Sequence, residues 1–565
     1  MTIPGYSQIK ETKRILLKLL KDPKLNLPNE ISSLSASDLD GLIKYTNEQP
    51  DQIVLPCRLK ECEVASALKS IEALYSQLIT NQRFPEFASK SNIVTLDLQH
   101  CLMFLFMAYL ASVDDMTKLD KKVIKRLRDT DLNKAQSITY RRMSANLYKT
   151  KDERYYHIHG SLDATTTLNM IGLPGFDDSL TDYDEVVKVI QAAVAKFNCD
   201  DLEKLNVENR QAGVECIKYN QFLKSEQGKI TEEKPFWEVD ILEAETPPAE
   251  YSPIDTKVEK RPQILKGIKV LELCRIIAGP TIGRILAEYG AEVLKVTDSE
   301  HLPDVPFFQV DGNMGKHCCD LNLKNSEDRL VFEELLKDAD IVLDGYRLGA
   351  IEKLGYGPQV LKELAIKRGK GYIYASENCF GYEGPYSGRP GWQQIADCYS
   401  GVAWIQGTNL IPENNEPMIP PFPMSDYGTG CMVAIAVLDA VYQRAKKGGS
   451  YWCKSSLVQY DSLLIKQGLY PDDIWEQIKS RQSPDVFKLR YYDSVDKISS
   501  TCLRSMKAFK PDLFDGDLKY MDEWQSEGFG GMVKVLKPVV HLDLTRNEFN
   551  CTSRPNGFDK PEWWM

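Results

Sequence analysis

One stretch, residues 265–296, constrains the fold more than any other part of the chain. It reads LKGIKVLELCRIIAGPTIGRILAEYGAEVLKV. Residues 268–273 are short and apolar, which is typical of a buried strand. Residues 278–280 (AGP) predict a turn into a helix over 281–289, and residues 291–296 predict a second strand. A strand–helix–strand unit of this length predicts an α/β domain with a parallel sheet.

Composition excludes several classes of partner. The net charge of −11 over 565 residues argues against broad binding of nucleic-acid phosphates. The most apolar run, residues 102–110, is far shorter than the ~20 residues of a membrane span. The 14 cysteines show no CxxC spacing, and no signal peptide is recognised, which indicates reduced thiols. We therefore expect an intracellular, cytoplasmic protein with small-molecule partners, no nucleic acid and no membrane.

Several motifs follow residue 265 in a fixed order. They are LKGIKVLEL, AGP and LAEYGAEVLKV within 265–296, CDLN at 319–322, LLKDADIVLDGYRLGAIEKLGYG at 335–357, ASENCFGYEGPY at 375–386, the segment 391–401, and MSDYGTG at 424–430 with LDAV at 438–441 in the next helix. Together they resemble the family III CoA-transferases, the CaiB/BaiF type. The resemblance implies a Rossmann-like parallel-sheet core with a smaller α+β domain. It also implies an enzyme that moves CoA from an acyl-CoA to a carboxylic acid.

The first half resembles a different part of the same family. Residues 149–174 resemble the segment that opens the family's small domain, and residues 61–75 with 93–110 resemble a degraded copy of 429–442 with 456–464. This alignment places Leu59 opposite Asp426, so the first copy lacks the acidic residue. We infer a duplicated and trimmed chain that builds one functional unit. Family members form interlocked dimers, so a chain that replaces such a dimer and a homodimer both stay open.

The resemblance and the changes in residue pattern along the chain divide it into five parts. Residues 471–529 show no pattern from which a fold can be predicted. The parts are a degraded helical and core segment over 1–145, a small domain over 146–231, a Pro-rich linker over 232–263, the CoA-binding α/β core over 264–480, and a C-terminal segment over 481–565 that returns to the core.

Asp426 is the residue on which the chemistry depends. In the family, the aspartate of this motif attacks an acyl-CoA thioester and carries the acyl group as a mixed anhydride. A helix N-terminus favours the negative charge that this role needs. The backbone N–H of Gly428 is the predicted donor to the oxyanion that forms during the attack. From the residues alone, Asp426 is also a good helix N-cap, and the two roles are compatible.

Coenzyme A, bound as acyl-CoA, is the predicted cofactor. The residues that the resemblance assigns to it are Ala278, Gly279, Pro280, Tyr346, Arg347, Ala350, Lys353 and Asn378. One position departs from the family, because Asp298 stands where a basic pair is usual and would repel the CoA phosphates. Lys295 and Lys353 are the nearest residues that could compensate. No metal is predicted, since the pair His157 and His159 lacks a third ligand.

Two alternatives remain from the sequence. A racemase or isomerase of the same fold needs a His–Asp pair for proton transfer, but Trp392 and Gln393 stand at those positions and neither exchanges a proton near neutral pH. Asp397 follows four residues later and is interpreted as a surface or capping carboxylate. A non-catalytic CoA-binding protein is the second alternative. The sequence does not indicate the acyl group or the acceptor acid.

Overall fold

The computed structural model describes residues 5–46, 53–88, 90, 92–514 and 518–564. The strands are β1 Ile43–Thr46, β2 Val94–Asp97, β3 Ser112–Val113, β4 Met116–Thr117, β5 Ala145–Lys149, β6 Tyr155–His159, β7 Val214–Glu215, β8 Glu238–Glu243, β9 Lys269–Leu273, β10 Glu292–Thr297, β11 Lys316–Asp320, β12 Ile341–Asp344, β13 Ile373–Asn378, β14 Ser450–Ser456, β15 Met521–Ser526, β16 Gly531–Leu536 and β17 His541–Leu542.

Helices of eight residues or more are labelled in chain order. They are α1 Gln8–Leu20, α2 Glu61–Arg83, α3 Tyr183–Val194, α4 Cys199–Glu208, α5 Glu226–Glu233, α6 Ala278–Glu288, α7 Ser326–Asp338, α8 Pro358–Arg368, α9 Gln393–Ser400, α10 Val402–Leu410, α11 Met424–Lys447, α12 Leu457–Ile465, α13 Asp472–Ser480 and α14 Val495–Phe509. Shorter helices are Asn29–Ser32, Ala36–Leu42, Leu98–Phe104, Thr139–Arg142, Thr165–Met170, Tyr219–Phe222, Phe308–Gly312, Ala350–Lys353 and Pro511–Phe514, and 3-10 turns are Pro23–Leu25, Pro85–Phe87, Met107–Tyr109, Lys121–Arg126, Pro412–Asn414 and Pro484–Lys488.

A seven-stranded sheet forms the core. Its strand order is β11-β10-β9-β12-β13-β14-β8, and all neighbours are parallel except β14 and β8. The strand–helix–strand unit of residues 265–296 supplies β9, α6 and β10, and β9 and β10 pair in parallel. Strands β9, β10 and β12 are buried along nearly all their length, as expected for a parallel sheet covered on both faces. The predicted α/β fold with a parallel-sheet core is confirmed.

The turn that leaves β9 differs from the prediction. Helix α6 already begins at Ala278, so AGP forms its first turn rather than the loop before it. The change of direction falls on Ile276, whose φ of 71° lies in the left-handed region. A β-branched residue rarely adopts this conformation, because its Cβ crowds the backbone. Backbone strain of this kind is often found at functional sites.

The Pro-rich segment 232–263 contains more structure than a linker. Residues Glu238–Glu243 form β8, which pairs antiparallel with β14 at the edge of the core sheet. The sequence did not predict this strand within the segment. The strand was not recognised in the sequence because it contains several charged side chains. An edge strand needs only one apolar face, and its other face is in contact with water.

A smaller α+β unit precedes the core. Strands β5, β6 and β7 form an antiparallel sheet, and α3 and α4 pack near it. The two ends of the chain share two further sheets: β17 pairs with β2, and β16 pairs with β3. The segment for which no fold was predicted contains α13 and α14.

Helix α11 runs through the centre of the molecule. It packs against α2, α6, α12 and β14. By length and hydropathy it could cross a membrane, but every residue of its apolar window is buried inside the protein. Helix α11 is therefore a core helix, and its N-terminal end lies at the site described next.

Candidate active site

Two cavities meet at the N-terminal end of α11. The larger has a volume of about 490 Å³ and the smaller about 120 Å³. The residues that line both are Ser161, Leu162, Ile276, Ile277, Trp392 and Asp426. Asp426 therefore lies at the boundary between a space large enough for a sizeable ligand and a smaller space next to it.

Asp426 occupies the first turn of α11. The helix begins at Met424 and Pro423 holds the N-cap position, so Asp426 is the third helical residue and the N-cap interpretation is wrong. The structure describes all of residues 424–442, and each of them except Asp426 is buried. The exposed surface of Asp426 faces the two cavities. The start of the helix favours a negative charge at this place.

Several other carboxyl groups surround Asp426. Enclosure in the protein, and then the charge of Asp397, raise the pKa of Asp426 well above its usual value. Glu377 is the last residue but one of β13 and lines the larger cavity. Burial, and then the charges of Asp426 and Asp344, raise the pKa of Glu377 to about 8. Near neutral pH, Glu377 is therefore mostly protonated and can donate a hydrogen bond into the cavity.

Asp397 is not the surface or capping carboxylate that the sequence indicated. It is 2% exposed and lies in α9, where it accepts a hydrogen bond from Gln393 and one of 3.3 Å from Ser425 Oγ. Burial and the neighbouring Asp461 raise the pKa of Asp397 well above its usual value. Trp392 and Gln393 both line the smaller cavity, although neither is a proton-transfer group.

Gly428 has a packing role that differs from the predicted one. A Cβ at this position would lie 1.9 Å from the Tyr460 ring, and Gly428 does not line either cavity. Its N–H lies beyond the first turn of α11, where helix geometry commits it to the carbonyl of Met424. These contacts give the oxyanion role of Gly428 no support, and that role stays a prediction. Gly430 likewise allows α11 to approach Thr281 and the Ala278 carbonyl of α6.

Five of the eight residues predicted to bind CoA line the larger cavity. They are Ala278, Tyr346, Arg347, Ala350 and Asn378. The other three, Gly279, Pro280 and Lys353, do not line it. The reason for glycine at Gly279 is packing, since a Cβ there would lie 2.7 Å from Cys274 Sγ. For these residues the structure gives no contact with the cavity.

The cations at the larger cavity are not those that the sequence indicated as compensation for Asp298. Lys295 is 1% exposed, and its Nζ donates to Asn313 Oδ1 at 2.9 Å, so it is not available to a ligand. Asp298 does not line the cavity, and its carboxylate pairs with His301. Arg275 and Arg347 line the cavity instead. Burial, and then the positive charge of Arg275, lower the pKa of Arg347, so the two guanidinium groups are close enough to repel.

The histidine pair on β6 contributes to the smaller cavity through one member. His159 lines it, and its ring stacks on Trp392 with 5.6 Å between centroids. Burial lowers the pKa of His159 to about 3, so the ring is neutral near pH 7. In the part of the chain that the structure describes, no three His, Cys, Asp or Glu residues lie close enough to hold a metal ion.

Comparison with known proteins gives this geometry a context. A family model described as CoA-transferase family III matches residues 265–503. The acetyl-coenzyme A transferase nodX of Hypoxylon pulicicidum is 31% identical over 573 residues, and the match covers 98% of this chain and 93% of that protein. The chain belongs to CoA-transferase family III. The expected family and the expected CoA-transferase activity are thus confirmed for this member of family III.

Other family III relatives differ in how much of the chain they match. An acyl-CoA transferase of Gibberella moniliformis is 28% identical, and the match covers 93% of this chain and 92% of that protein. The human succinyl-CoA:glutarate CoA-transferase is 29% identical over 34% of this chain and 45% of its own length. A CAIB/BAIF family protein of Brucella suis has a solved structure with 19% identity and a TM-score of 0.39, covering 53% of this chain and 97% of that one.

Several residues of this family III site were missed in the sequence. Glu377 was predictable, because it lies at the carboxyl end of a parallel strand, where α/β proteins place their ligands. Arg275 lies at the corresponding end of β9 and carries the same signal. Lys118 and Arg142 line the smaller cavity but come from the first 145 residues, where no motif marks them. The duplication, the five-part division and the homodimer stay predictions.

Proposed function

We propose that this CoA-transferase uses Asp426 as the nucleophile that carries the acyl group between donor and acceptor. The observation that carries the proposal is the position of Asp426, a carboxylate at the boundary of two cavities and exposed to both. The larger cavity has the volume and the cations to hold the CoA part of the substrate. The smaller cavity has room for a short acyl group.

The bond changes follow from the need to move CoA between two acids. An Asp426 oxygen attacks the thioester carbonyl, the C–S bond breaks, and the CoA thiolate leaves, so that the acyl group and Asp426 are joined as a mixed anhydride. The thiolate then attacks the Asp426 carbonyl of the anhydride, and this step releases the first acid as a carboxylate. The acceptor carboxylate attacks the new aspartyl thioester and forms a second anhydride. Attack of the thiolate on the acceptor's carbonyl completes the transfer and restores the Asp426 carboxylate.

The acid–base state of Asp426 limits the first step. Only the ionised carboxylate is a nucleophile, and the surroundings of Asp426 raise its pKa. The ionised fraction therefore increases with pH, and we propose that the rate of acylation does the same. The helix N-terminus supports the ionised form, while Glu377, protonated below about pH 8, can donate a hydrogen bond instead of adding a second charge.

The relatives' names bear on the substrates of this chain. Relatives are named as succinyl-CoA–L-malate, succinyl-CoA:glutarate and acetyl-coenzyme A transferases. We propose that this chain likewise uses a short-chain acyl-CoA and a small carboxylic acid. The volume of the smaller cavity, about 120 Å³, supports a short acyl group rather than a long fatty chain.

Hydroxylamine trapping tests the covalent role of Asp426 directly. Enzyme incubated with an acyl-CoA and hydroxylamine should gain a hydroxamate on Asp426, because hydroxylamine cleaves both the anhydride and the aspartyl thioester. Peptide mass spectrometry locates the change. We expect no such change without acyl-CoA. Turnover without any adduct at Asp426, at several hydroxylamine concentrations, would contradict the proposed mechanism.

Arg347 should bind the phosphates of the donor. Arg347→Met is expected to raise KM for acetyl-CoA about tenfold and leave kcat within about twofold, because a phosphate contact contributes equally to the ground state and the transition state. With an acetyl-pantetheine thioester, which has no phosphates, variant and wild type should be equal. Steady-state kinetics with both donors measure this.

Lys353 supplies the matched control for Arg347. It was predicted from the sequence to bind CoA, but it does not line the larger cavity. Lys353→Met should therefore change KM for acetyl-CoA by less than about twofold. Equal effects of the two variants, or a loss in Arg347→Met that persists with the pantetheine donor, would contradict the assignment.

A further inference from the structure

Two cations share one carboxylate in the part of the smaller cavity that it does not share with the larger one. Lys118 Nζ lies 2.5 Å from Asp496 Oδ1, and the Arg142 guanidinium pairs with the other oxygen of the same carboxylate. All three side chains line this cavity and none lines the larger one. One carboxylate thus serves two cations, and the nearby His159 is neutral. The Lys118 side chain is 11% exposed and that of Arg142 is 33% exposed, so Lys118 is the more enclosed of the two and benefits more from a further anion.

The titration of Lys118 agrees with this crowding. Burial, and then the charge of Arg142, lower the pKa of Lys118 well below its usual value. A lowered pKa is the direction expected for a buried lysine that lies beside a second cation. A second anion in the cavity would favour the protonated form of Lys118 and would bind to it in return.

The walls between the cations and Asp426 are largely apolar. Val305 and Phe308 line the smaller cavity, and Leu162 and Ile277 line it where it meets the larger one. Lys118 Nζ lies 5.4 Å from the centre of the Phe308 ring. Methylene groups fit such walls. The charged groups are divided between Asp426, at the shared boundary, and Lys118, Arg142 and Asp496, in the part that is not shared.

The volume limits the length of the occupant. A cavity of about 150 Å³ accepts a six-carbon ring, and this one measures about 120 Å³. It therefore suits a chain of about four carbons that begins at the reacting carbonyl. Neither a long fatty chain nor a nucleotide fits the described walls.

We propose that the acyl group transferred by this enzyme carries a second carboxylate, which Lys118 and Arg142 hold in the smaller cavity while the first reacts at Asp426. This inference rests on the proposed role of Asp426 and adds the substrate class, a short dicarboxylic acid. The second carboxylate takes no part in the bond changes. It fixes the carbonyl carbon next to Asp426 and so selects the substrate.

Lys118→Met tests the inference through a pair of donors of similar shape. Wild type should use succinyl-CoA with a kcat/KM at least tenfold above that for butyryl-CoA, which ends in a methyl group. In Lys118→Met this preference should fall at least tenfold, because the loss of kcat/KM should be much larger with succinyl-CoA than with butyryl-CoA. Arg142→Gln should act in the same direction. Lys134→Met is the matched control, since Lys134 also pairs with an aspartate but lines neither cavity.

Binding of the free acids gives a measurement that does not depend on turnover. By calorimetry, wild type should bind succinate at least tenfold more tightly than butyrate, and Lys118→Met should lose this difference. Equal use of the two donors by wild type, or succinate bound no more tightly than butyrate, would overturn the inference. A missing hydroxamate on Asp426 with every acyl-CoA would instead contradict the nucleophile, and the binding result would still decide the dicarboxylate.

Discussion

Asp426→Asn is expected to lower kcat for CoA transfer by about 10⁴-fold or more. Asparagine keeps the shape of the side chain but cannot form the anhydride, and loss of a nucleophile removes the whole covalent route. Acyl-CoA binding should be nearly unchanged, because the contacts of the larger cavity remain. Stopped assays with purified protein measure the rate, and calorimetry with a non-reactive CoA ether measures the binding.

The same variant should also be more stable than wild type. A carboxyl group whose folded-state pKa is raised gives stability that is complete below its unfolded pKa of about 4 and is lost as pH rises through the folded value. Asp426 is such a group, so Asp426→Asn should melt at a higher temperature, and the difference should widen from pH 5 to pH 9. Thermal melting across this range shows the sign.

Asp439 is the matched control for this variant. It lies farther along the same helix, burial raises its pKa to about 6, and it lines neither cavity. Asp439→Asn should gain stability with pH in the same way and keep its activity. An Asp426→Asn protein with more than about 1% of wild-type activity would contradict the nucleophile, whatever its melting temperature.

The second large effect is one of packing. Gly428→Ala is expected to destabilise the protein by about 3 kcal/mol or more, because the new methyl group would overlap the Tyr460 ring. The ring cannot move aside easily, since Tyr460 is buried and its hydroxyl donates to Glu61 Oε2 at 2.6 Å. Denaturant unfolding measures the loss. Gly428→Ala combined with Tyr460→Leu should lose less stability than the sum of the two single variants.

Gly41→Ala is the control for Gly428. Gly41 also lies in a helix, but a Cβ there meets nothing within 4 Å, so alanine should be neutral or slightly stabilising. The measurement also separates packing from catalysis. A Gly428→Ala protein with normal stability and a kcat lowered about 100-fold would support the oxyanion role that the sequence predicted.

Patterns between neighbouring residues made the core of the fold predictable. In residues 265–296, strand length, the glycine after the helix and the apolar strands all indicated one unit, and the structure has it. The structural details that the sequence did not predict depend on contacts between residues that are distant in sequence. Nothing near Ile276 indicates that it adopts a φ of 71°, and the strand Glu238–Glu243 became visible only through its pairing with β14.

The site divides in the same way. Asp426 was predictable because it belongs to a local motif at the start of a helix. The carboxyl groups around it come from separate elements, Asp397 from α9 and Asp461 from α12, so their proximity is a result of tertiary packing. Lys118 and Arg142 were unpredictable for the same reason. The packing role of Gly428 could not be read from the sequence, because a close approach to a substrate and a close approach to Tyr460 both require glycine.

The pairing of the two chain ends has a consequence for how the protein is made. Strands β2 and β3 emerge from the ribosome early, but their partners β17 and β16 lie more than 400 residues later. Until the last part of the chain is synthesised, the N-terminal sheets have unpaired edges, which are prone to aggregate. Residues of this region that line the smaller cavity, such as Lys118 and Arg142, therefore reach their final positions after the catalytic core has been synthesised. Loss of the last 50 residues would disturb substrate selection from the opposite end of the sequence.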